Sequence, residues 1–171
     1  LDGAAPVDRW PADEPRGLTV AEVEGATTLS QSSGPRRPGL PEDQPFAAFD
    51  GDPGSSWVAW PDAAGSWLQV DLDQPTSIGP VTVEVPSVQG RHISAVTVKT
   101  DQGTETVAVD DEGRATAADV AGSTEVVRVT VAEVGEPDEP GDLALSSIEI
   151  DGVEISRPLV LPEEADNGPA V

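Results

Sequence analysis

Hydrophobic and polar residues alternate along much of the chain. In "SWLQVDL", Leu68, Val70 and Leu72 fall on one side of an extended chain, whereas Gln69 and Asp71 fall on the other. A period of two residues is typical of a strand with one buried face. The same alternation predicts further strands in "VTVEV" (81–85), "AVTVKT" (95–100), "ETVAV" (105–109), "VVRVTVAEV" (126–134) and "SSIEI" (146–150).

Segments rich in turn-forming residues separate these predicted strands. They are "DQPTS", "TDQG", "DDEG", "VAGS", "GEPDEPGD" and "DGV". The sequence has no window with the periodicity of a long amphipathic helix. Short strands joined by such turns predict an all-β fold, an antiparallel β-sandwich with less than about a tenth of its residues in helices.

The pattern also divides the chain into three regions. Residues 1–17 have three prolines and no period, which predicts a linker or a strap. Residues 18–158 are predicted to form the β-sandwich, and residues 159–171 a tail or linker. Because the chain begins with Leu1, we expect it to be a piece of a longer or processed protein.

Composition and charge narrow the range of partners. The 171 residues include no cysteine, and 32 acidic against 9 basic side chains give a formal charge of −23. A surface this acidic repels phosphate backbones, so no nucleic acid is expected as a partner. No stretch is apolar over the length of a membrane helix, so we expect no direct membrane insertion by this segment.

Few residues could support catalysis. The sequence has a single histidine, His92, and lacks a Gly-x-Ser-x-Gly motif, a phosphate-binding glycine loop and a histidine pair for zinc. We therefore expect that this chain alone is not an enzyme.

The segment "FDGDPGSS" places several oxygen ligands close together. The carboxylates of Asp50 and Asp52, the hydroxyl of Ser55 and loop carbonyls such as that of Phe49 are hard ligands that suit calcium. An alternative is that the two aspartates only accept hydrogen bonds within a tight turn, in which Gly51 and Gly54 adopt positive φ. The sequence leaves both interpretations open.

Aromatic and basic residues near predicted strand ends are candidates for sugar binding. Trp57 and Trp67 are expected to pack in the core or at a sheet edge, whereas Trp60, before a proline and a polar loop, is a candidate platform for a sugar ring. Arg91 and His92 are predicted to lie in a turn, where their N–H groups could bind sugar hydroxyls. Two solvated turn residues are the alternative.

The order of these segments along the chain resembles that of a known protein family. "PFAAFDGDPGSSWVAW", "GSWLQVDLDQPTSIGPVTVEV", "VVRVTV" and "LSSIEIDG" resemble, in this order, the discoidin or coagulation-factor C-type family, over about residues 20–155. That family has a galactose-binding-like jelly roll and includes many carbohydrate-binding modules. The resemblance implies the same fold, often with a structural calcium ion.

A narrower resemblance concerns "VTVKTDQGTETVAVDDEG", "ALSSIEIDGV" and "SRPLVLP". These segments resemble carbohydrate-binding segments of the large actinobacterial membrane arabinofuranosyltransferases that build cell-wall arabinan. The resemblance implies an extracytoplasmic module, with cell-wall arabinan or arabinogalactan and the other domains of a parent membrane protein as partners. Glycosyl transfer would then reside in the membrane-embedded part.

The family resemblance also bears on the metal. In the closing strand, Ser147 stands where the family commonly has a glutamate ligand, and Glu149 follows two residues later on the same strand face. The resemblance thus implies Phe49, Asp50, Asp52, Ser55 and Ser147 as the ligand set of a possible structural calcium ion. A structural or protein-interaction β-sandwich that has lost sugar binding remains the rival interpretation of the whole chain.

Overall fold

The computed structural model describes residues 20–21, 23–32, 40, 44–52, 54–59, 64–86, 91–139 and 142–160. The regular elements in this part of the chain are strands, apart from a 3₁₀ helix at Pro45–Ala48. The predicted linker 1–17 and residues 161–171 of the predicted tail lie outside the described residues. The strands are β1 (Val20–Ala21), β2 (Ala26–Gln31), β3 (Trp57–Val58), β4 (Trp67–Ile78), β5 (Val81–Glu84), β6 (His92–Thr100), β7 (Gly103–Ala108), β8 (Arg114–Ala117), β9 (Gly122–Gly135), β10 (Ala144–Leu145), β11 (Ser147–Ile150) and β12 (Leu159–Val160).

One layer is a five-stranded antiparallel sheet in the order β2-β4-β9-β6-β7. The predicted alternation in β4 is confirmed, because Leu68, Val70 and Leu72 are buried while Gln69 and Asp71 are only partly covered. The strands β6 and β9 alternate in the same way. One face of the sheet therefore belongs to the core, and the other is polar.

The opposite layer consists of shorter strands. A three-stranded antiparallel sheet has the order β11-β5-β8, and β10 pairs with β3. Buried residues from both layers form one hydrophobic cluster, which confirms the predicted β-sandwich. Its side chains are mostly valine, leucine, isoleucine and alanine, the small and β-branched residues that pack well between sheets.

Trp57 is the largest fully buried side chain, with 1% of its surface exposed. Its indole Nε1 donates a hydrogen bond of 2.6 Å to Oε1 of Gln31, so the one polar atom of the ring is satisfied. The prediction that Trp57 is structural is thus confirmed. No helix among the described residues is long and apolar enough to span a membrane.

The chain enters and leaves the sandwich at one place. Residues Val23–Arg157 form one compact unit, in which Glu24 and Ser156 exchange backbone hydrogen bonds of 2.9 and 3.2 Å. The strands β1 and β12 belong to a second unit and pair with each other in antiparallel register.

The structure differs from the sequence predictions at several places, and β2 is among the strands that were not predicted. The segment "DQPTS" is part of β4 rather than a turn, because the register with β9 shifts between Asp71 and Thr76 and the strand continues beyond the shift. Pro75 fits there, since it lies where the ladder of hydrogen bonds is interrupted. Strand β8 was missed because its buried side chains, Ala115 and Ala117, are too small to give a strong alternating signal.

Candidate functional site

The loop between the 3₁₀ helix and β3 is a pair of consecutive aspartate turns. Oδ1 of Asp50 accepts the N–H of Asp52 at 2.9 Å, and Oδ1 of Asp52 accepts the N–H of Gly54 at 2.8 Å. Gly51 has a φ of +69°, as the turn interpretation predicts. Gly54 does not adopt a positive φ, because the Asp52 side chain already shapes the turn at that point.

Four acceptor oxygens surround the hydroxyl of Ser55 in the same loop. Oγ of Ser55 lies 2.9 and 2.8 Å from the two carboxylate oxygens of Asp50, 3.0 Å from the carbonyl of Asp52 and 3.3 Å from the carbonyl of Ala47. One hydroxyl carries a single hydrogen and cannot satisfy four acceptors. A cation that shares these oxygens would relieve the excess of negative charge, and the hard oxygen donors fit calcium.

The ligand set implied by the sequence is only partly brought together. Asp50, Asp52 and Ser55 meet, but Asp52 directs its carbonyl to the cluster and uses its carboxylate within the turn. The hydrogen bonds of the described residues do not link Phe49 or Ser147 to this cluster, and Ser147 lies opposite Glu84 in the sheet. Sequence reasoning missed the Ala47 carbonyl, because this carbonyl reaches Ser55 through the fold of the 3₁₀ helix. Among all the described residues, this cluster included, no group of three or more His, Cys, Asp or Glu side chains could hold a metal.

His92 lies at one end of the five-stranded sheet. It is the first residue of β6 rather than a turn residue, and it pairs with Gly135 at the end of β9. A Cβ atom on Gly135 would lie 2.5 Å from Nε2 of His92, so the missing side chain is what allows the imidazole to rest against the backbone. Arg91 precedes His92 and is half-buried, whereas Trp60 lies outside the described residues.

A small cavity adjoins this imidazole. It has a volume of about 300 Å³ and is lined by His92, Val109, Asp110 and Asp111. Oδ1 of Asp110 accepts the N–H groups of Glu112 at 3.1 Å and Arg114 at 2.8 Å, which fixes the turn that forms one wall. Imidazole and carboxylate groups beside an apolar wall can exchange hydrogen bonds with sugar hydroxyls.

A larger cavity of about 690 Å³ lies on the outer side of the three-stranded sheet. Thr82, Thr116 and Glu149 form its floor, and the segment after β11, with Asp151 and Glu154, forms a wall. The hydroxyls of Thr82 and Thr116 are 3.2 Å apart. Arg91 and His92 are not among the described residues that line this cavity, although its hydroxyl and carboxylate groups could also bind a polyol.

Comparison with known proteins identifies relatives of this chain. Over 97 residues the chain is 40% identical to an α-(1→3)-arabinofuranosyltransferase of Mycobacterium tuberculosis, a match that covers 54% of this chain and 7% of the relative. The chain thus spans less than a tenth of the curated relatives it matches.

Solved structures share the fold. The cryo-EM structure of the arabinofuranosyltransferase AftD from Mycobacteria superimposes with a TM-score of 0.67 at 23% identity, over 90% of this chain and 13% of that chain. The CBM32 domain of AlyQ, solved in complex with 4,5-unsaturated mannuronic acid, superimposes with a TM-score of 0.54 at 12% identity, over 78% of this chain and 97% of that domain.

These relatives agree with the architecture of two packed antiparallel layers. Part of the chain is related in sequence to a segment of an arabinofuranosyltransferase. Residues 26–131, more than half of the sequence, match the F5/8 type C domain, and the chain belongs to that family.

Proposed function

We propose that this chain is a non-catalytic carbohydrate-binding module of an arabinofuranosyltransferase that synthesises cell-wall arabinan. It would hold arabinan or arabinogalactan on the extracytoplasmic side for the membrane-embedded enzyme. The observation that carries the proposal is the 40% identity to an arabinofuranosyltransferase within a binding-type fold. Weak binding at one site would suffice, because tethering a module to the enzyme raises the effective concentration of its polymer.

The His92 cavity is the site that we propose for the sugar, with Arg91 next to it in the chain. Trp60 lies outside the described residues and stays a sugar-binding candidate from the sequence. Its volume of about 300 Å³ is at the lower end of the range for ligand sites, as expected for one or two sugar rings. The Asp111 carboxylate could accept hydrogen bonds from sugar hydroxyls, and the imidazole can both donate and accept them. Val109 offers an apolar surface for the carbon face of a ring.

Titration of the isotope-labelled chain with arabino-oligosaccharides, followed by NMR, tests this function. We expect binding at millimolar sugar and shifts of the amide signals of residues 91–93 and 109–112. His92→Ala should raise the dissociation constant about tenfold, because it removes a hydrogen-bonding group. Ser123→Ala is the control, because Ser123 is exposed and lies at the end of β9 opposite to Gly135, the partner of His92.

Three outcomes would count against the proposal. An equal response to a gluco-oligosaccharide would remove the specificity for arabinan. Shifts confined to Thr82, Thr116 and Glu149 would move the sugar site to the larger cavity. The absence of any shift at millimolar sugar would favour a structural or protein-interaction domain.

We also propose that the Ser55 cluster binds a structural calcium ion through Ala47, Asp50, Asp52 and Ser55. Support comes from the four acceptor oxygens within 3.3 Å of one hydroxyl, and from the family resemblance. Calcium takes six to eight oxygens, so further ligands such as Ser147, the Phe49 carbonyl or water would complete the shell. Because Ser147 replaces a glutamate, we expect weaker affinity than a second carboxylate would give.

Thermal unfolding in millimolar calcium and in chelator tests the metal proposal. A ligand that binds only the native state raises its stability by about 2.7 kcal/mol at a concentration one hundred times the Kd. We expect the gain in melting temperature to disappear in Asp50→Ala and to persist in the control Asp119→Ala, which changes an exposed turn residue. If the curves of the unmodified chain coincide with and without calcium, the loop is a hydrogen-bonded turn without a metal.

A further inference from the structure

On the outer face of the five-stranded sheet, mostly polar side chains form two rows that run across the strands. One row crosses all five strands and the other crosses four. We call them the polar band. In the first row, the residues of neighbouring strands lie directly opposite one another. From β7 to β2 they are Thr104, Lys99, Arg128, Gln69 and Ser30. The second row lies one strand pleat away and consists of Thr106, Thr97, Thr130 and Trp67.

Charge in the polar band is opposite to that of the molecule. The chain has 32 acidic and 9 basic residues, yet the two rows contain two basic side chains and no acidic one. The carboxylate of Asp71, two residues from Gln69 on the same face of β4, borders the first row. Lys99 is the only lysine of the sequence, and it stands directly opposite Arg128. Like charges opposite each other destabilise a sheet. Lys99 also lies near enough to Asp101 to help lower the pKa of that carboxyl.

Arg128 is held in a fixed orientation. Its guanidinium carbon lies 4.2 Å from the centroid of the Trp67 ring, and its Nε donates a hydrogen bond of 2.7 Å to Oε1 of Gln69. Nε2 of Gln69 in turn donates to Oδ1 of Asp71 at 2.7 Å. These contacts engage the ring-facing side and the Nε edge. The Nη1–Nη2 edge can bind carboxylate or phosphate oxygens in bidentate fashion.

The remaining side chains of the band suit hydroxyl-rich ligands. Thr97 and Thr106 share a hydrogen bond of 2.8 Å, and each hydroxyl can still donate or accept a further one. Five strands spaced by about 4.8 Å give the band a width of about 19 Å, comparable to the length of a tetrasaccharide. The half-buried Trp67 adds apolar surface at one end of the second row.

We propose that the polar band is a second glycan-binding surface, which takes an extended saccharide bearing carboxylate or other anionic groups and binds these groups between Lys99 and Arg128. The band is separate from the His92 cavity, and this inference does not rest on the function proposed for that cavity. The anionic groups are assigned from charge complementarity, and the saccharide from the hydroxyl and indole side chains of the second row.

NMR titration with tetragalacturonate, and with the neutral galactotetraose as a matched probe, tests the inference. With tetragalacturonate we expect shifts in the amides of Thr97, Lys99, Arg128 and Thr130 and in the indole N–H of Trp67. The neutral tetramer should bind at least about tenfold more weakly, because it cannot form the charge-assisted hydrogen bonds. Added sodium chloride should weaken the binding of tetragalacturonate, because salt screens the charges of Lys99 and Arg128 at the surface.

Variants separate the band from general electrostatics. Lys99→Gln and Arg128→Gln are each expected to weaken tetragalacturonate binding about tenfold, the loss of one charge-assisted contact. Arg114→Gln removes the same charge from the other sheet and should leave binding unchanged. Because Lys99 is exposed, Lys99→Gln keeps the test decisive if Arg128→Gln does not fold.

The inference is overturned if tetragalacturonate causes no shifts in the band, if Arg114→Gln weakens binding as much as Lys99→Gln, or if the neutral tetramer binds equally well. Arabino-oligosaccharide shifts at His92 would be unaffected by such a failure. A failure at His92 would in the same way leave the band untouched, so the two proposals are tested independently.

Discussion

At the scale of single residues, Thr124 and Asp101 join two turns at one end of the five-stranded sheet. The hydroxyl of Thr124, a residue only 1% exposed, donates to Oδ2 of Asp101 at 2.9 Å and accepts the N–H of Asp101 at 3.1 Å. The same Asp101 oxygen accepts the N–H of Glu125 at 2.8 Å. These bonds connect the β6–β7 turn to the start of β9.

The hydrogen bonds of Asp101 predict a pH dependence of stability. The N–H of Glu125, and next the Thr124 hydroxyl, lower the pKa of Asp101 below its ordinary value of 3.8. A carboxyl with a lowered folded-state pKa stabilises the fold above its unfolded pKa, and this contribution is lost as pH falls through the folded-state pKa. Asp101→Asn should therefore be less stable than the unmodified chain at neutral pH, and the difference should narrow below about pH 4.

Urea unfolding of both chains, from neutral pH down to about pH 2, measures this difference. Asp119→Asn, in the exposed turn before β9, is the control for a general effect of removing one negative charge. A difference that stays constant across the whole range, or that is equally large for Asp119→Asn, would contradict the assignment to Asp101.

At the scale of elements, glycines show where the backbone geometry is fixed. Gly25 has a φ of +83°, and a Cβ atom there would lie 2.1 Å from the backbone oxygen of Glu154. Gly51 has a φ of +69° but has open space around it. Gly103, at the start of β7, has open space and no positive φ.

Alanine at these positions should therefore produce a graded loss of stability. Gly103→Ala should change the free energy of unfolding by less than about 0.5 kcal/mol. Gly51→Ala should cost about 1–2 kcal/mol through backbone strain alone. Gly25→Ala should cost more than either, because the strain adds to a collision that would separate Glu24 from Ser156. Urea unfolding in chelator, which removes any contribution of calcium, gives the three values, and equal losses at Gly25 and Gly51 would contradict the argument.

The strands predicted from alternation have large apolar side chains on one face. Val81, Val96 and Val98 are examples, because large apolar side chains at every second position are typical of a half-buried strand. Strand β8 carries alanines, and the two-residue strands β3 and β10 are too short for any period to be visible. The β4 segment around Pro75 was misassigned, because proline usually marks a turn and the register shift that accommodates it depends on β9.

Sites were harder to predict than strands because they depend on contacts between distant segments. Asp50, Asp52 and Ser55 are close in sequence, and their meeting could be expected from spacing alone. The polar band could not be expected, since Lys99, Arg128 and Gln69 come from three strands and meet only through the register of the sheet. Likewise, no sequence pattern indicated that Asp110 and Asp111 would border the His92 cavity.

At the scale of the whole molecule, the formal charge of −23 is unevenly distributed over the described surface. Asp110 and Asp111 border the His92 cavity, and Glu149, Asp151 and Glu154 border the larger one. The polar band has no acidic member in its two rows. The net charge of the chain predicts that it repels anionic partners. The two basic side chains of the polar band nevertheless make this surface suitable for them.

The pairing of Glu24 with Ser156 brings the two ends of the Val23–Arg157 unit together. A domain whose two ends meet can be inserted into one surface loop of a host protein without separating the residues on either side of that loop. The host then keeps the order and spacing of its own elements, as if the loop had only been lengthened. Such a domain can be gained, lost or exchanged between hosts as a unit, because the two cut ends that it leaves behind already lie side by side.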